Sequence, residues 1–478
     1  MSFRNDLKSF PRTFWIANTM ELFERWAYYG MFAVLSVYLT DPVSKGGLGF
    51  SQEQRGVMQA VVTGVLYLLP ILGGAIADRF GFRKVFIAAF VTLASGYFAM
   101  GQFHAYAPVF IAFLVVAAGG AIFKPVIVGT VSRTTTTDTK TLGFGIFYMI
   151  VNIGGFIGPW AASKMREINW EYVFMMCSAV IVVNLILLLF FREPKREQEP
   201  KETFLQMIRT ISLNTVTVLK DIKFVIFLLI IIGFWTMYMQ LFFTVPVYIG
   251  QWTDTTVIYE KLGFLRRVFG SKEEGAGLIR PEMMINIPAL TIILFQLLMS
   301  AFLKGVKPVR SMVGGIFVVA LAIGQLYFYV TGWYVALSLV MLAFGEMASS
   351  PRIQEYISGI APPEKVGLYM GYSFLPVAGG NVLGGLLSGK LYGSMSDKFL
   401  FLRDYLDTNG YRSMDQIENM DDAVLFNESL LTLGMDARQL NMMLHEAYQP
   451  GTIWLVFAGI GFGTVILLFL YNKFILPK

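Results

Sequence analysis

Twelve stretches of the chain are apolar over enough residues to cross a lipid bilayer as a helix, which takes about 20. They fall near 14–40, 53–77, 84–103, 106–131, 142–163, 171–191, 224–250, 281–303, 311–331, 333–356, 366–393 and 452–474. Between the sixth and seventh lies a long charged stretch, REPKREQEPKE and onward, which reads as a solvated tether and divides the spans into six plus six. Two insertions, 252–280 and 396–450, interrupt the opposite side. The second holds ten acidic residues against four basic ones and carries periodic apolar segments, FLRDYL and AVLFNESLLTLGM. It is expected to form a small helical cap outside the membrane, with helices starting at Ser413, Asn427 and Asp436. The expected organisation is a six-helix bundle over 1–191, a linker over 192–223, helices seven to eleven over 224–395, the insertion over 396–450, and helix twelve with its tail over 451–478.

Composition agrees with an all-α membrane protein. Hydrophobic residues make up 55% of the chain and charged ones only 15%, where a soluble protein has roughly a quarter charged. One Cys and two His leave no disulfide framework and no Cys- or His-based metal site. No HExxH, GxSxG or Walker sequence is present, so neither an enzyme, a metal nor an organic cofactor is expected. The net charge of +6 does not point to nucleic acid, because 21 of the 38 basic residues gather at alternate span ends. They are Arg4, Lys8 and Arg12; Arg79, Arg83 and Lys84; Arg133 and Lys140; the stretch 192–223; Lys304, Lys307 and Arg310; Lys365; and the C-terminal tail. The short loops at 104–105 and around 332 have none. The positive-inside bias therefore predicts cytoplasmic termini. Glu21, Glu24 and Arg25 within the first span, with no small-residue cleavage site after it, argue against a cleaved signal peptide.

Charged side chains in hydrocarbon cost several kcal/mol each, so those retained there pair or face a wet cavity. Span one carries Glu21, Glu24 and Arg25 on one helical face, span four carries Lys124 beside Pro125, and span ten carries Glu346, Arg352 and Glu355. Three ionisable spans in a six-plus-six layout point to a transport pathway using a proton gradient, over a channel or a membrane enzyme. Structural ion pairs that only lock helices are the alternative, most directly for Arg352 with Glu355. GGNVLGGLLSG, from Gly379 to Gly389, places small residues at every fourth position and reads as a close helix contact. Pro70, Pro125, Pro288, Pro351 and Pro376 mark bends within spans.

The loop GGAIADRFGFRK resembles the signature loop of the major facilitator superfamily between spans two and three. Its Gly74, Asp78, Arg79, Gly81, Arg83 and Lys84 would then act in gating. ELFERWAYYG resembles the ExxERFxYYG signature of the proton-dependent oligopeptide transporter family, and FYMIVNIGGFIGP its second signature. FKP around Lys124, YLLPILGG around Tyr67 and FGEMASSP around Glu346 follow in the family's order. The resemblance implies a major facilitator fold of twelve helices in two six-helix bundles, in a bacterial inner membrane, importing small peptides or peptide-like solutes with protons. Glu21, Glu24, Arg25 and Lys124 would form the proton-linked cluster. Tyr29 and Tyr67 would contact the peptide backbone, Asn152 and Glu346 the amino end, with Asn381 also lining the site and Arg352 a replacement cation.

The chain departs from that family at several positions. A carboxylate-binding Arg is Phe32, a coupling-linked Glu is Met239, FKPN ends in Val126, and a pocket Trp aligns with Ser373. An Asn of span eight aligns with Ile287, leaving Asn286 one residue away, and SPxGL reads SPRIQ. The linker is too short for the two extra helices common in bacterial members, and the resemblance does not cover 396–450. These departures leave open a non-peptide solute or weakened proton coupling. A subunit that docks a protein partner through 396–450 is a further alternative.

Overall fold

The computed structural model describes residues 7–70, 79–136, 139–194, 206, 213, 215–216, 218–273, 276–328, 331–362 and 365–475. Twelve long helices are α1 (Arg12–Thr40), α2 (Gln52–Leu68), α3 (Phe82–Gln102), α4 (Tyr106–Arg133), α5 (Lys140–Arg166), α6 (Trp170–Leu187), α7 (Ile222–Tyr238), α8 (Ile287–Phe302), α9 (Pro308–Gly324), α10 (Gly332–Ile360), α11 (Leu375–Met395) and α12 (Thr452–Phe474). Among the described residues nine helices are long and apolar enough to span a membrane. The other three long helices are α1 with its internal charges, the 17-residue α2 and the glycine-rich α11.

The packing repeats between the halves. In the first, α1 packs on α5 and α6, α3 on α4 and α6, and α2 on α4; in the second, α7 packs on α11 and α12, α9 on α10 and α12, and α8 on α10. Each pair has its counterpart six helices later, as expected of two related bundles. The bundles meet where α2 crosses α11 and α5 crosses α8. Glycine makes the first crossing close. A Cβ at Gly56 would lie 2.6 Å from the Gly385 carbonyl oxygen and from Gly389 Cα, and one at Gly385 would lie 2.7 Å from Ala60 N. The adjacent row, Gly380 and Gly384, faces α7, so the small-residue repeat serves two neighbours.

Three spans expected to be continuous are broken. Span seven, 224–250, ends its first helix at Tyr238 and continues as Gln240–Phe243 and Val245–Trp252; span eight, 281–303, begins with a separate turn, Pro281–Met284; span eleven, 366–393, begins with Val366–Tyr372. Pro246, Pro288 and Pro376 stand in the first turn of the segments that follow, where a missing N–H breaks no helical hydrogen bond. Pro125 and Pro351 lie inside unbroken helices.

Both insertions lie at the same end of the bundles. The 252–280 insertion contains a hairpin that the sequence reading did not anticipate, Ser271–Glu273 against Ala276–Leu278. The 396–450 insertion folds as helices Lys398–Thr408, Met414–Ile417, Asp422–Leu433 and Ala437–Tyr448 around fully buried Leu402, Leu406, Ile417, Leu425, Leu440 and Leu444. Ser413 and Asp436 precede helices as expected, Asp436 in a capping box with Gln439. Asn427 does not start one. Its helix begins at Asp421, whose carboxylate accepts hydrogen bonds from Ala423 N (3.0 Å) and Val424 N (3.3 Å). Asp421 also holds Ser44 of the first bundle, accepting from its hydroxyl at 2.5 Å and its backbone N–H at 3.1 Å.

Candidate functional site: charged groups on both bundles

The i, i+3, i+4 spacing places Glu21, Glu24 and Arg25 together on α1, only 4%, 1% and 6% exposed. Arg25 Nε lies 3.3 Å from Glu21 Oε1 and 2.5 Å from Glu24 Oε2, and its Nη2 also meets Glu24. One guanidinium therefore serves two carboxylates. A second cation comes from α4. Lys124 Nζ lies 4.5 Å from the centre of the Tyr67 ring and 5.9 Å from that of Tyr28. Arg25 stands 5.2 Å from the same Tyr28 ring and 5.9 Å from Tyr29. The two cations thus share an aromatic ring whose faces attract both. Together the four ionisable groups sum to zero, which makes their burial tolerable and the loss of any one costly.

The second bundle supplies the opposite pole. Glu346 of α10, half-buried, accepts a hydrogen bond of 2.6 Å from the Tyr238 hydroxyl of α7. Tyr29 of α1 and Tyr148 of α5 lie within electrostatic reach of Glu346, so polar groups from both bundles converge. Among the described residues neither Lys124 nor Glu346 makes an ion pair. A cation on one bundle and a carboxylate on the other, each without a salt-bridge partner, suit the two ends of a zwitterion.

The remaining expected residues divide. Asn152 Nδ2 donates to the Tyr148 carbonyl (2.8 Å), which places it one turn along α5 from that tyrosine. Asn381 is fully buried; its Nδ2 donates to Val377 O, and among the described residues its Oδ1 has no partner. Arg352 is engaged elsewhere. It bonds Glu355 at 2.5 Å and donates to Leu303 O at 2.7 Å, tying α10 to the end of α8, the locking role that was the alternative to a substrate contact. Asn286 donates across the bundles to Phe156 O (2.8 Å), and Ser373 turns its hydroxyl back onto Met370 O. Phe32 stacks on Tyr28 (5.2 Å) and packs on Phe242 (5.1 Å), while Met239 is buried at the break after α7.

Residues 14–252 match the sequence pattern of the Major Facilitator Superfamily. The chain belongs to this superfamily. Over 202 residues it is 28% identical to the dipeptide and tripeptide permease A of Erwinia pyrifoliae, a match covering 41% of this chain and 39% of that relative. The chain thus spans about two fifths of the length of the curated relatives it matches. Among solved structures it is similar to a POT family transporter in complex with 5-aminolevulinic acid (TM-score 0.69, 19% identity, covering 98% of this chain and 99% of that one). It is also similar to the nucleoside transporter NupG (TM-score 0.70, 13% identity, covering 97% and 99%). At these identities the solved structures show the fold alone.

In this facilitator Gly74 and Asp78 of the expected gating loop lie outside the described residues. Arg79, Arg83 and Lys84 are exposed, and Gly81 takes a positive φ of 94° that favours glycine at the start of α3. Glu193 closes that helix start, accepting from Phe82 N at 2.9 Å.

Sequence reasoning passed over Arg55, whose signal was a cation near the start of the second span. It is fully buried, and among the described residues it donates to neutral acceptors: Gln52 (3.0 Å), Gln59 (3.3 Å), the Ser388 carbonyl (3.4 Å), the Phe243 carbonyl and the Ser388 hydroxyl (3.0 Å). The last three belong to the second bundle. Ser36 of α1 donates to Phe242 O (2.6 Å), and Arg166 of α5 bridges Asp41 (2.9 Å) and Glu282 (3.1 Å). These contacts seal the bundles at the insertion side. Among the described residues no hydrogen bond or ion pair joins the bundles at the linker side.

Proposed function

We propose that the chain imports di- and tripeptides or peptide-like solutes with protons, as a secondary transporter working by alternating access. The observation that carries this reading is the placement of Lys124 and Glu346, opposite charges on separate bundles with no salt-bridge partner among the described residues. The solute's carboxylate turns to Lys124 and its amine to Glu346, with Tyr29, Tyr67, Asn152 and Asn381 along its length. A proton taken up by Glu21 or Glu24 leaves the α1–α4 cluster with a net positive charge, which strengthens its hold on the solute carboxylate. Releasing the proton to the other side reverses that. The permease names of the curated relatives support this choice of solute.

On this reading the protein sits in a bacterial inner membrane with both termini in the cytoplasm, so the sealed insertion side faces outward. Purified protein in proteoliposomes, given an inward pH gradient, should accumulate members of a di- and tripeptide panel and lose that accumulation with a protonophore. No pH-dependent accumulation of any member rejects it.

A second reading, another solute or weakened coupling, is favoured by Phe32 and Met239, which put apolar surface where the resembling family uses charge. Phe32→Arg with Met239→Glu should then change solute choice or proton dependence, and an unchanged profile counts against it. Docking of a protein partner at 396–450 is the third; a cap deletion that leaves uptake intact is expected if the cap is an accessory to transport.

A further inference from the structure

A cavity of about 310 Å³ lies beyond the seal, between the insertion-side ends of the bundles and the cap. Among the described residues four cations line it, Lys45, Arg166, Arg280 and Lys398, with one carboxylate, Asp41, which pairs with Arg166 at 2.9 Å. Lys398 decides its character. It stands at the start of the first cap helix with 8% of its surface exposed, and its ammonium makes no hydrogen bond or ion pair among the described residues. The rings of Phe426 (4.6 Å) and Phe399 (5.4 Å) lie against it. Its side chain lines the cavity, so its three N–H donors can turn to an anion held there.

We propose that this cavity is a binding site for a small oxyanion, a carboxylate or phosphate group, held by Lys398 from the cap and Lys45 from the first bundle. Because the ligand would join both bundles where they are closed, its binding favours the closed state. Burial, and then Lys45, push the Lys398 pKa down to about 8, with Asp397 and Asp422 opposing. The other charges around it include Arg166 of the first bundle with Asp41 and Glu282, Arg280 at the hairpin's end, and Arg403, which pairs with Asp422 at 2.7 Å. Neutralising Lys398 removes the main attraction, so affinity should fall as pH rises through that value. The site shares no residue with the Lys124 and Glu346 groups and does not depend on which solute is transported.

The test is thermal unfolding of the full chain in neutral detergent, titrated with inorganic phosphate and, separately, succinate, against sodium chloride at matched ionic strength. The expected result is a saturable rise of several degrees with at least one of them, the succinate response weakening above about pH 8. Lys398→Gln should weaken the response at least tenfold while melting normally in chloride. If that variant does not fold, Lys45→Gln on the other bundle serves the same purpose. No rise beyond chloride, or an equal rise in a folded variant, overturns the proposal.

Discussion

Replacing Arg55 with Met tests how the insertion side stays shut. The guanidinium reaches from α2 to two groups of the second bundle, the Phe243 carbonyl and the Ser388 hydroxyl. A hydrogen bond to a charged group contributes roughly 1.5–3 kcal/mol net of its exchange with water. Two of them, taken at the lower end because Arg55 is hydrated when the side opens, bias the equilibrium by about 3 kcal/mol, or roughly 100-fold. Met fills similar space, and the glycine crossing of α2 with α11 and the Phe32–Phe242 contact persist, so the fold should survive while the balance moves. Spin labels at Val43 and Leu431, 67% and 86% exposed on opposing parts of that side, report the separation by pulsed dipolar spectroscopy. The native chain should give one short distance. Arg55→Met should add a longer population, with Arg55→Lys between them, because an ammonium keeps the charge but loses the fork. An unchanged distribution in Arg55→Met would refute this reasoning.

Glu346→Gln should weaken solute binding roughly 10- to 100-fold, with a smaller loss for Tyr238→Phe, which removes only the 2.6 Å hydrogen bond; titration of a radiolabelled dipeptide checks both. Gly56→Leu puts a side chain where even a Cβ lies 2.6 Å from the opposing backbone, so it should hold the insertion side open and stop uptake while leaving the protein in the membrane, as read by the same spin labels. The Asp421 carboxyl, despite partial burial, is held below its ordinary value of 3.8 by hydrogen bonds from the Ser44 hydroxyl and N–H and from Val424 and Ala423 N. Its contribution to cap attachment is therefore present above about pH 4 and is lost as pH falls through the depressed value; hydrogen-exchange protection of residues 422–433, taken relative to the intrinsic rate at each pH, should be flat near neutrality and fall only in acid, with Asp421→Asn less protected throughout.

The order of the spans was legible because apolar length is a direct consequence of bilayer thickness. The breaks at Met239, Thr244, Asn286 and Ser373 were not, because a count of apolar residues is blind to where hydrogen bonding stops; Pro246, Pro288 and Pro376 were visible, but a proline reads alike as a bend or as the first turn of a new helix. The α1 ion cluster followed from helical spacing alone. Tyr238 as the partner of Glu346, and Arg55 as a bridge between bundles, depend on tertiary neighbours more than 100 residues away in sequence and left no local trace. Asn427 was misplaced because the apolar run continues through the true start, which Asp421 fixes by capping. The small-residue repeat on α11 was read as packing; the two neighbours it serves, α2 and α7, became visible only in three dimensions.

The central claim is that Glu346 and Lys124 receive opposite ends of one solute, and binding of matched ligands to matched variants tests it most directly. A dipeptide, its N-acetyl form and its C-terminal amide would be titrated against the native chain, Glu346→Gln and Lys124→Gln. Glu346→Gln should lose affinity for the free-amine ligand and not for the acetylated one, and Lys124→Gln should lose it for the free acid and not for the amide. Equal losses for all three ligands in either variant would contradict the account.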